Sequence, residues 1–315
     1  MLAVFNVAFP VFSLIFIGFF CRRREILGPN ASTELNRFVI HLALPALLFD
    51  AMARLPIDHA FDIGYIVAFL VGMGCVFIVA LVVRLQQKAA FIDATIDALG
   101  AAYPNAGYMG VPLCLLMFGD ASMPPVVIGM LLTACLLFAI AIVMIEMARQ
   151  ADGHLGRTLL KVGRALLRNP IMVAPLLGLV VSASGLSVPS GISELAHFLG
   201  AAASPCALVS IGLFLASSRT EGSAPADRGT LSLLVGLKLF VQPAITAFFV
   251  FRVFDVPVVW AYTALLLSAL PIGTGPFMLA ELYGREATTM SRAILYSTLI
   301  SLLTITLVLA RIPHG

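Results

Sequence analysis

Long apolar runs dominate the chain, separated by short polar interruptions. Ten of them are long enough to cross about 30 Å of hydrocarbon: residues 3–21, 35–55, 62–84, 91–119, 124–148, 169–187, 194–217, 230–253, 258–284 and 289–311. Each reads as a helix, because a bilayer holds no water for unpaired backbone groups, and these runs lack the alternation of a barrel strand. The predicted fold class is an all-α polytopic membrane protein of ten transmembrane helices.

Two of the runs contain residues that oppose helix. Ile96–Asp120 reads IDALGAAYPNAGYMGVPLCLLMFGD, with Pro104, Asn105, Gly107, Gly110 and Pro112 at its centre. Proline cannot donate to the helical ladder and glycine gives up most backbone entropy there, so about two turns between Tyr103 and Pro112 are expected to be non-helical. Ala264–Arg285 reads ALLLSALPIGTGPFMLAELYGR and is interrupted by Pro271, Gly273, Gly275 and Pro276. Aligned on Pro104 and Pro271, the two segments share a small and a bulky residue before the proline, and close on Phe118-Gly119-Asp120 and Tyr283-Gly284-Arg285. Unwound backbone at membrane depth survives only when buried in protein or facing a water-filled cavity. Interrupted segments at corresponding places in two halves point to a secondary transporter's substrate site.

The halves are separated by a polar, basic linker at 150–168, which leaves a first five-helix repeat at 1–149 and a second at 169–315. An odd number of spans per half inserts the second upside down, giving an inverted five-plus-five repeat. With an offset of 160, Glu34-Leu35 falls on Glu194-Leu195, Phe38 on Phe198, Ala43 on Ala203 and Pro45 on Pro205.

Composition narrows the class further. Hydrophobic residues make up 61% of the chain and charged ones 11%, against about 25% charge in soluble domains. Fifteen of the 19 Lys and Arg residues fall in loops on one side, Arg54, Arg252 and Arg311 fall on the other, and Lys238 lies inside a span. By the positive-inside rule the fifteen are cytoplasmic and both termini face outward. The basic charge therefore follows topology, and the partner is the lipid bilayer rather than nucleic acid. The triplet Arg22–Arg24 follows the first apolar run instead of preceding it, unlike a cleaved signal peptide. The five cysteines are scattered without CxxC spacing, so no metal or other cofactor is expected. No GxxxxGK, HExxH, GxGD or GxSG pattern occurs, which argues against ATP-driven transport and against an intramembrane enzyme.

The candidate substrate-binding residues cluster at the interruptions. Half-helices restarting there aim free N–H groups at the membrane centre, a ready anion site. Around them stand Asn105, Gly107, Gly110 and Pro112 on one segment and Pro271, Gly273, Thr274 and Gly275 on the other. Asn105 either orients a carboxylate or caps its half-helix. Lys238 lies roughly 12 Å deep at 1.5 Å per residue, where burying a lysine costs on the order of 2.5–3.5 kcal/mol. It reads as a counter-charge or proton-linked group, or else as a snorkelling side chain. Gln242 is one turn further, beside Pro243. Asp50 with Arg54, and Glu281 with Arg285, have the spacing of local ion pairs, and Asp93 and Asp97 complement a helix N-terminus.

The stretches PNAGYMGVPL and ALPIGTGPFMLAELYG resemble the paired signatures of the auxin efflux carrier family, whose bacterial members include malonate and other organic-acid permeases. The resemblance covers essentially the whole chain. It implies the fold of bile acid:sodium symporters and sodium/proton antiporters, in which two broken helices cross beside a scaffold domain, with elevator-type alternating access. Asn105, Gly107, Gly110 and Pro112 then map to the first crossing helix, and Pro271, Gly273 and Gly275 to the second. The paired aspartates of the antiporters are missing, since Asn105 stands at the break. The expected function is secondary transport of small organic anions, auxin- or malonate-like carboxylates, across a bacterial cytoplasmic (inner) membrane. The alternative is a sodium-coupled carrier of larger amphipathic anions, resembling the bile acid symporters. Proton and sodium coupling both stay open, and a homodimer is expected.

Overall fold

The computed structural model describes residues 2–55, 61–149, 167–217 and 227–312, with positions 156, 160, 163 and 164 between them. The expected linker at 150–168 lies largely outside the described residues. Among those described, all regular structure is helical apart from one isolated bridge. The helices are α1 (Leu2–Arg23), α2 (Ala31–Ala53), α3 (Ile63–Gln86), α4 (Phe91–Ala102), α5 (Val111–Phe118), α6 (123–149), α7 (Pro170–Ser184), α8 (Ser190–Ala216), α9 (Arg228–Val253), α10 (Val258–Ser268), α11 (Gly275–Leu282) and α12 (Thr288–Leu309). Six described helical stretches are long and apolar enough to cross a bilayer: Ala31–Ala53, Ile63–Gln86, Ala106–Arg149, Ser190–Ala216, Arg228–Val253 and Thr288–Leu309. Large apolar side chains such as Phe198, Val180 and Leu303 point outward and stand exposed, which suits a lipid-facing surface.

Local chemistry sets the helix ends. Asp62 accepts from the Tyr65 N–H to start α3, Asn169 from Ile171 at the start of α7, and Asp227 from Gly229 at the start of α9. Such caps replace one orphan hydrogen bond of a first turn. Gly119 (φ 63°) and Gly284 (φ 60°) stop the two half-helices α5 and α11 at positive φ, where a Cβ is strained.

Three of the helix prolines follow wide turns. Val39–Ala43, Ala106–Gly110 and Leu237–Val241 are π-helical, and each precedes a proline by one residue: Pro45, Pro112 and Pro243. A proline lacks its N–H and crowds the carbonyl four residues back, and a wider turn relieves both problems. The first interruption is accordingly shorter than the two turns read from sequence. Only Tyr103–Asn105 leaves the helix, and Gly107 and Gly110 sit in the wide turn instead.

α1 lies along the C-terminal half of α8, and α7 along that of α2. Glycines set these distances. A Cβ on Gly18 would meet the Val209 carbonyl oxygen at 2.2 Å, and one on Gly178 would meet that of Phe49 at 2.5 Å. Adding 160 to Gly18 and Phe49 gives Gly178 and Val209, so one close approach repeats the other at the offset found in sequence. α3 and α9 pack together, and a Cβ on Gly72 of α3 would meet Thr246 Oγ1 of α9 at 2.2 Å.

Ion pairs tie the helix ends on the side of Arg22–Arg24. Asp97 receives Arg84 at 2.8 Å, joining α4 to α3, and Asp93 receives Arg285 at 2.6 Å, joining α4 to the end of α11. Both aspartates hold helices together, and only Asp93 lies in the first turn of α4, where it also complements the helix N-terminus. Arg285 thus reaches Asp93, 192 residues away, while the Glu281 side chain lies outside the described structure. Asp50 and Arg54 form their local pair at 2.9 Å.

Candidate functional site

The first halves of the two broken helices end at Ala102 and Ser268. The unwound chain after them meets in an antiparallel pair. Asn105 N–H donates to the Pro271 carbonyl at 2.9 Å and Gly273 N–H to the Tyr103 carbonyl at 2.9 Å, with Pro104 facing Ile272 between them. Adding 168 to Asn105 and Tyr103 gives Gly273 and Pro271, so the crossing has a local two-fold through Pro104 and Ile272. That axis is one residue away from the proline-on-proline alignment. The groups freed by one interruption are satisfied by the other, as buried backbone requires. The Ile272 N–H goes to Ser297 Oγ on α12 at 3.1 Å.

Each first half also leaves carbonyls without partners at its C-terminal end, and α9 reaches both ends. Lys238 Nζ donates to the Ser268 carbonyl at 2.7 Å, and Gln242 Nε2 to the Ala102 carbonyl at 3.5 Å. Both side chains are fully buried. An ammonium at this place lies against the negative end of a half-helix.

On the other side of the crossing is a cavity of about 120 Å³. Of the residues singled out from sequence, Asn105, Gly107, Gly273, Thr274 and Gly275 line it. Gly110, Pro112, Pro271, Lys238 and Gln242 are not among its lining residues. Gly110 packs instead against α10, where a Cβ would meet Leu267 Cδ2 at 2.6 Å. Pro112 sits in the first turn of α5, Pro271 supplies the carbonyl for Asn105, and Lys238 and Gln242 hold the helix ends behind the crossing.

The cavity wall also contains Tyr103, Tyr108 and Thr133, which sequence reasoning missed. Tyr103 lies flat on the second interruption: a Cβ on Gly275 would fall 2.7 Å from its Cζ, and one on Gly273 2.9 Å from its Cδ1. The signal was its position directly before Pro104. Tyr108 donates its hydroxyl to Asn36 Oδ1 on α2, a contact across 72 residues that no local pattern announces.

Among the described residues no Asp, Glu, Lys, Arg or His lines the cavity. Asn105 is 4% exposed, does not cap the turn that follows it, and its carboxamide has no hydrogen bond among the described residues. The N-terminus of α11 opens onto the same space, with Thr274 and Gly275 in the wall. Neutral donors and helix N-termini therefore supply the polarity, an arrangement that accepts an anion without an opposing charge.

Two further cavities flank this one along α2. Toward the Arg22–Arg24 side lies a chamber of about 220 Å³, which includes Ser32, Thr33 and Asn36 in its wall and shares Tyr108, Thr274 and Met278 with the central cavity. On the opposite side lies a vestibule of about 470 Å³ lined by Leu47, Asp50, Ala51 and Arg54, and it shares no residue with the centre. Positions 36, 40, 44, 47, 51 and 54 form one stripe of α2. Adding 160 carries Leu47, Asp50, Ala51 and Arg54 of the vestibule onto Ala207, Ser210, Ile211 and Phe214 of the chamber, and Asn36 of the chamber onto Ala196 of the vestibule.

Two interrupted apolar helices paired through their unwound segments beside a cavity define a class, the membrane-embedded secondary carriers. A family profile described as membrane transport protein matches residues 3–309, and the chain belongs to that family, which includes the auxin efflux carriers. A relative from Rhizobium meliloti, provisionally named a malonate transporter, is 29% identical over 319 residues, 100% of this chain and 98% of that protein. An uncharacterized transporter of Escherichia coli strain K12 is 25% identical over 238 residues, 74% of each chain. Auxin efflux carrier component 8 of Arabidopsis thaliana is 22% identical, covering 95% of this chain and 94% of its own. The family and these relatives are transporters rather than enzymes.

Proposed function

We propose that this protein is a secondary carrier of small organic anions, malonate-like carboxylates, bound at the crossing and moved by elevator-type alternating access. The observation that carries the reading is the nearly buried, unpartnered carboxamide of Asn105 in a cavity bounded by two paired unwound segments. One carboxylate end meets the Asn105 amide and the N–H groups of the restarting helices. Lys238 acts from behind: its ammonium on the Ser268 carbonyl offsets the end of α10 and adds a positive charge near the crossing. Gln242 does the same, without charge, for α4. Gly110, Pro112 and Pro271 shape the crossing around the bound anion.

In this proposal the chain has ten spans in two inverted repeats, 1–149 and 169–315, and lies in a bacterial cytoplasmic membrane with both termini outward. The repeated glycine contacts of α1 with α8 and α7 with α2 support the inverted repeat. The equivalent walls of the chamber and the vestibule support alternating access: the surface that opens to one side in one state has a counterpart for the other. The centre shares residues with the chamber on the side of Arg22–Arg24 and none with the vestibule, which on the proposed topology corresponds to an inward-facing state. A cavity of about 120 Å³ is well below the roughly 300–1,000 Å³ of drug-sized sites. That favours a small carboxylate over the larger amphipathic anions of a sodium-coupled carrier.

The test is uptake of labelled malonate by purified protein in liposomes, with thermal shift as the binding readout. Transport by the wild type and at least a tenfold loss in Asn105→Ala are expected. Absence of any organic-anion transport, or full activity in Asn105→Ala, refutes the assignment.

A further inference from the structure

The central cavity and the chamber beside it are treated above as a site and its exit. Their chemistry points to more. Both have mostly apolar walls with a few polar groups set into them, Asn105, Tyr108 and Thr133 in one and Ser32, Thr33 and Asn36 in the other, and they join at Tyr108, Thr274 and Met278. Tyr108 gives its hydroxyl to Asn36 Oδ1, which fixes the Asn36 carboxamide and leaves its NH₂ without a partner among the described residues. Two carboxamides with unused donors, Asn105 in one compartment and Asn36 in the other, thus flank one tyrosine. Asn36 and Ile40 line the chamber and the central cavity respectively. They are one helical turn apart on α2, so the two compartments follow one another along the same face of that helix. Met278, in the shared wall, offers methylenes an apolar surface.

We infer that the chamber is a second substrate subsite, in which Asn36 receives the far carboxyl group of a short dicarboxylate whose near carboxylate lies at Asn105. The inference rests on the proposed anion site at the crossing and assigns its selectivity. Two-ended acids use both compartments, and one-ended acids of equal length use only the first. Thr33 and Ser32 add hydroxyl groups to the chamber wall, and among the described residues no acidic side chain lines either compartment.

The experiment is a competition series on full-length protein in liposomes, with malonate and succinate against propionate and butyrate, for wild type, Asn36→Leu and Asn36→Asp. Asn36→Asp keeps the shape but turns the donor into an anion, so it tests the contact where Asn36→Leu might alter packing. A wild-type preference for the diacids of about tenfold, equivalent to about 1.4 kcal/mol, is expected. Both variants should reduce that preference to threefold or less with monocarboxylate affinity unchanged. Equal wild-type affinity for the two classes, or variants that weaken both classes alike, leaves the crossing site standing and overturns the second subsite. Failure of the wild type to bind any of the acids overturns both.

Discussion

Substituting Gly275 by alanine tests the crossing itself. The added methyl would fall 2.7 Å from Tyr103 Cζ, 2.9 Å from its hydroxyl oxygen and 3.0 Å from Cε1. Ordinary contact begins near 3.4 Å, so the ring must retreat by about 0.7 Å. It has little freedom to do so. The Tyr103 carbonyl is held by the Gly273 N–H at 2.9 Å, and the ring packs edge-on against Phe138 with centroids 6.2 Å apart. Overpacking of this kind costs about 1–3 kcal/mol. At about 2 °C per kcal/mol for a chain of this size, the melting temperature should fall by roughly 2–6 °C. The single tryptophan of the chain, Trp260, stacks edge-on to Tyr65 at 5.4 Å and reports unfolding in detergent. Tyr103→Leu removes the three atoms the methyl meets. The double variant Tyr103→Leu/Gly275→Ala should therefore be more stable than the sum of the singles by about 1–2 kcal/mol. Gly74→Ala is the control, since nothing lies within 4 Å of its Cβ. A Gly275→Ala protein that melts within a degree of wild type, or a strictly additive double variant, shows that Tyr103 does not lie on the second interruption and refutes the geometry.

Further expectations follow from the same contacts. In a background without the five native cysteines, Pro104→Cys with Ile272→Cys should form a disulfide on mild oxidation, because a facing pair of this kind has Cα atoms about 4.5 Å apart; an unchanged gel mobility after cleavage between the halves would count against the pairing. Arg84→Met should destabilise by about 3–5 kcal/mol, since it strands the largely buried Asp97 carboxylate, and Arg84→Met/Asp97→Leu should recover most of that in the same melting assay. Lys238→Met removes both a buried charge and the hydrogen bond to Ser268, terms of similar size and opposite sign at about 2–3 kcal/mol each; stability should change little while anion uptake falls at least tenfold. Hydrogen bonds from Thr230 and Gly229 hold the Asp227 carboxyl below its ordinary value. Its contribution is therefore present above the unfolded value of 3.8 and lost as pH falls through the folded one, so Asp227→Asn should flatten the acid limb of a stability profile.

The interruptions were legible because proline and glycine act locally. Pro104 and Pro271 both lie in the non-helical segments, and the glycines after α5 and α11 stop both half-helices at positive φ. The offset of 160 matched in sequence also relates the close approach of Gly18 to Val209 to that of Phe49 to Gly178, which is in keeping with the proposed repeat. What stayed hidden was how side chains divide between the two sides of the crossing. Lys238 and Gln242 have the composition of ligand residues, yet they serve the carbonyl ends of α10 and α4, because the unwound chain leaves acceptors on one side and donors on the other. Tyr108 and Asn36 were hidden for the opposite reason, since each looks ordinary until α2 and the first crossing helix are brought together. The length of the first interruption was overestimated because a π-turn absorbs Gly107, Gly110 and the demand of Pro112 without leaving the helix.

A duplicated frame makes two exposures geometrically similar, but it does not make them equal in energy. The stripe positions of α2 and α8 correspond, and at three of them the chemistry differs. Asp50 and Arg54 face the outer vestibule as an ion pair that also reaches Ser193 at 2.8 Å, whereas their equivalents Ser210 and Phe214 line the inner chamber without charge. Asn36 offers its carboxamide to the inner chamber, whereas its equivalent in the vestibule is Ala196. In the proposed carrier, an anion at the chamber would pass neutral donors, while one at the vestibule would meet a guanidinium already engaged by a carboxylate, so these three pairs of positions would make the two sides differ in affinity.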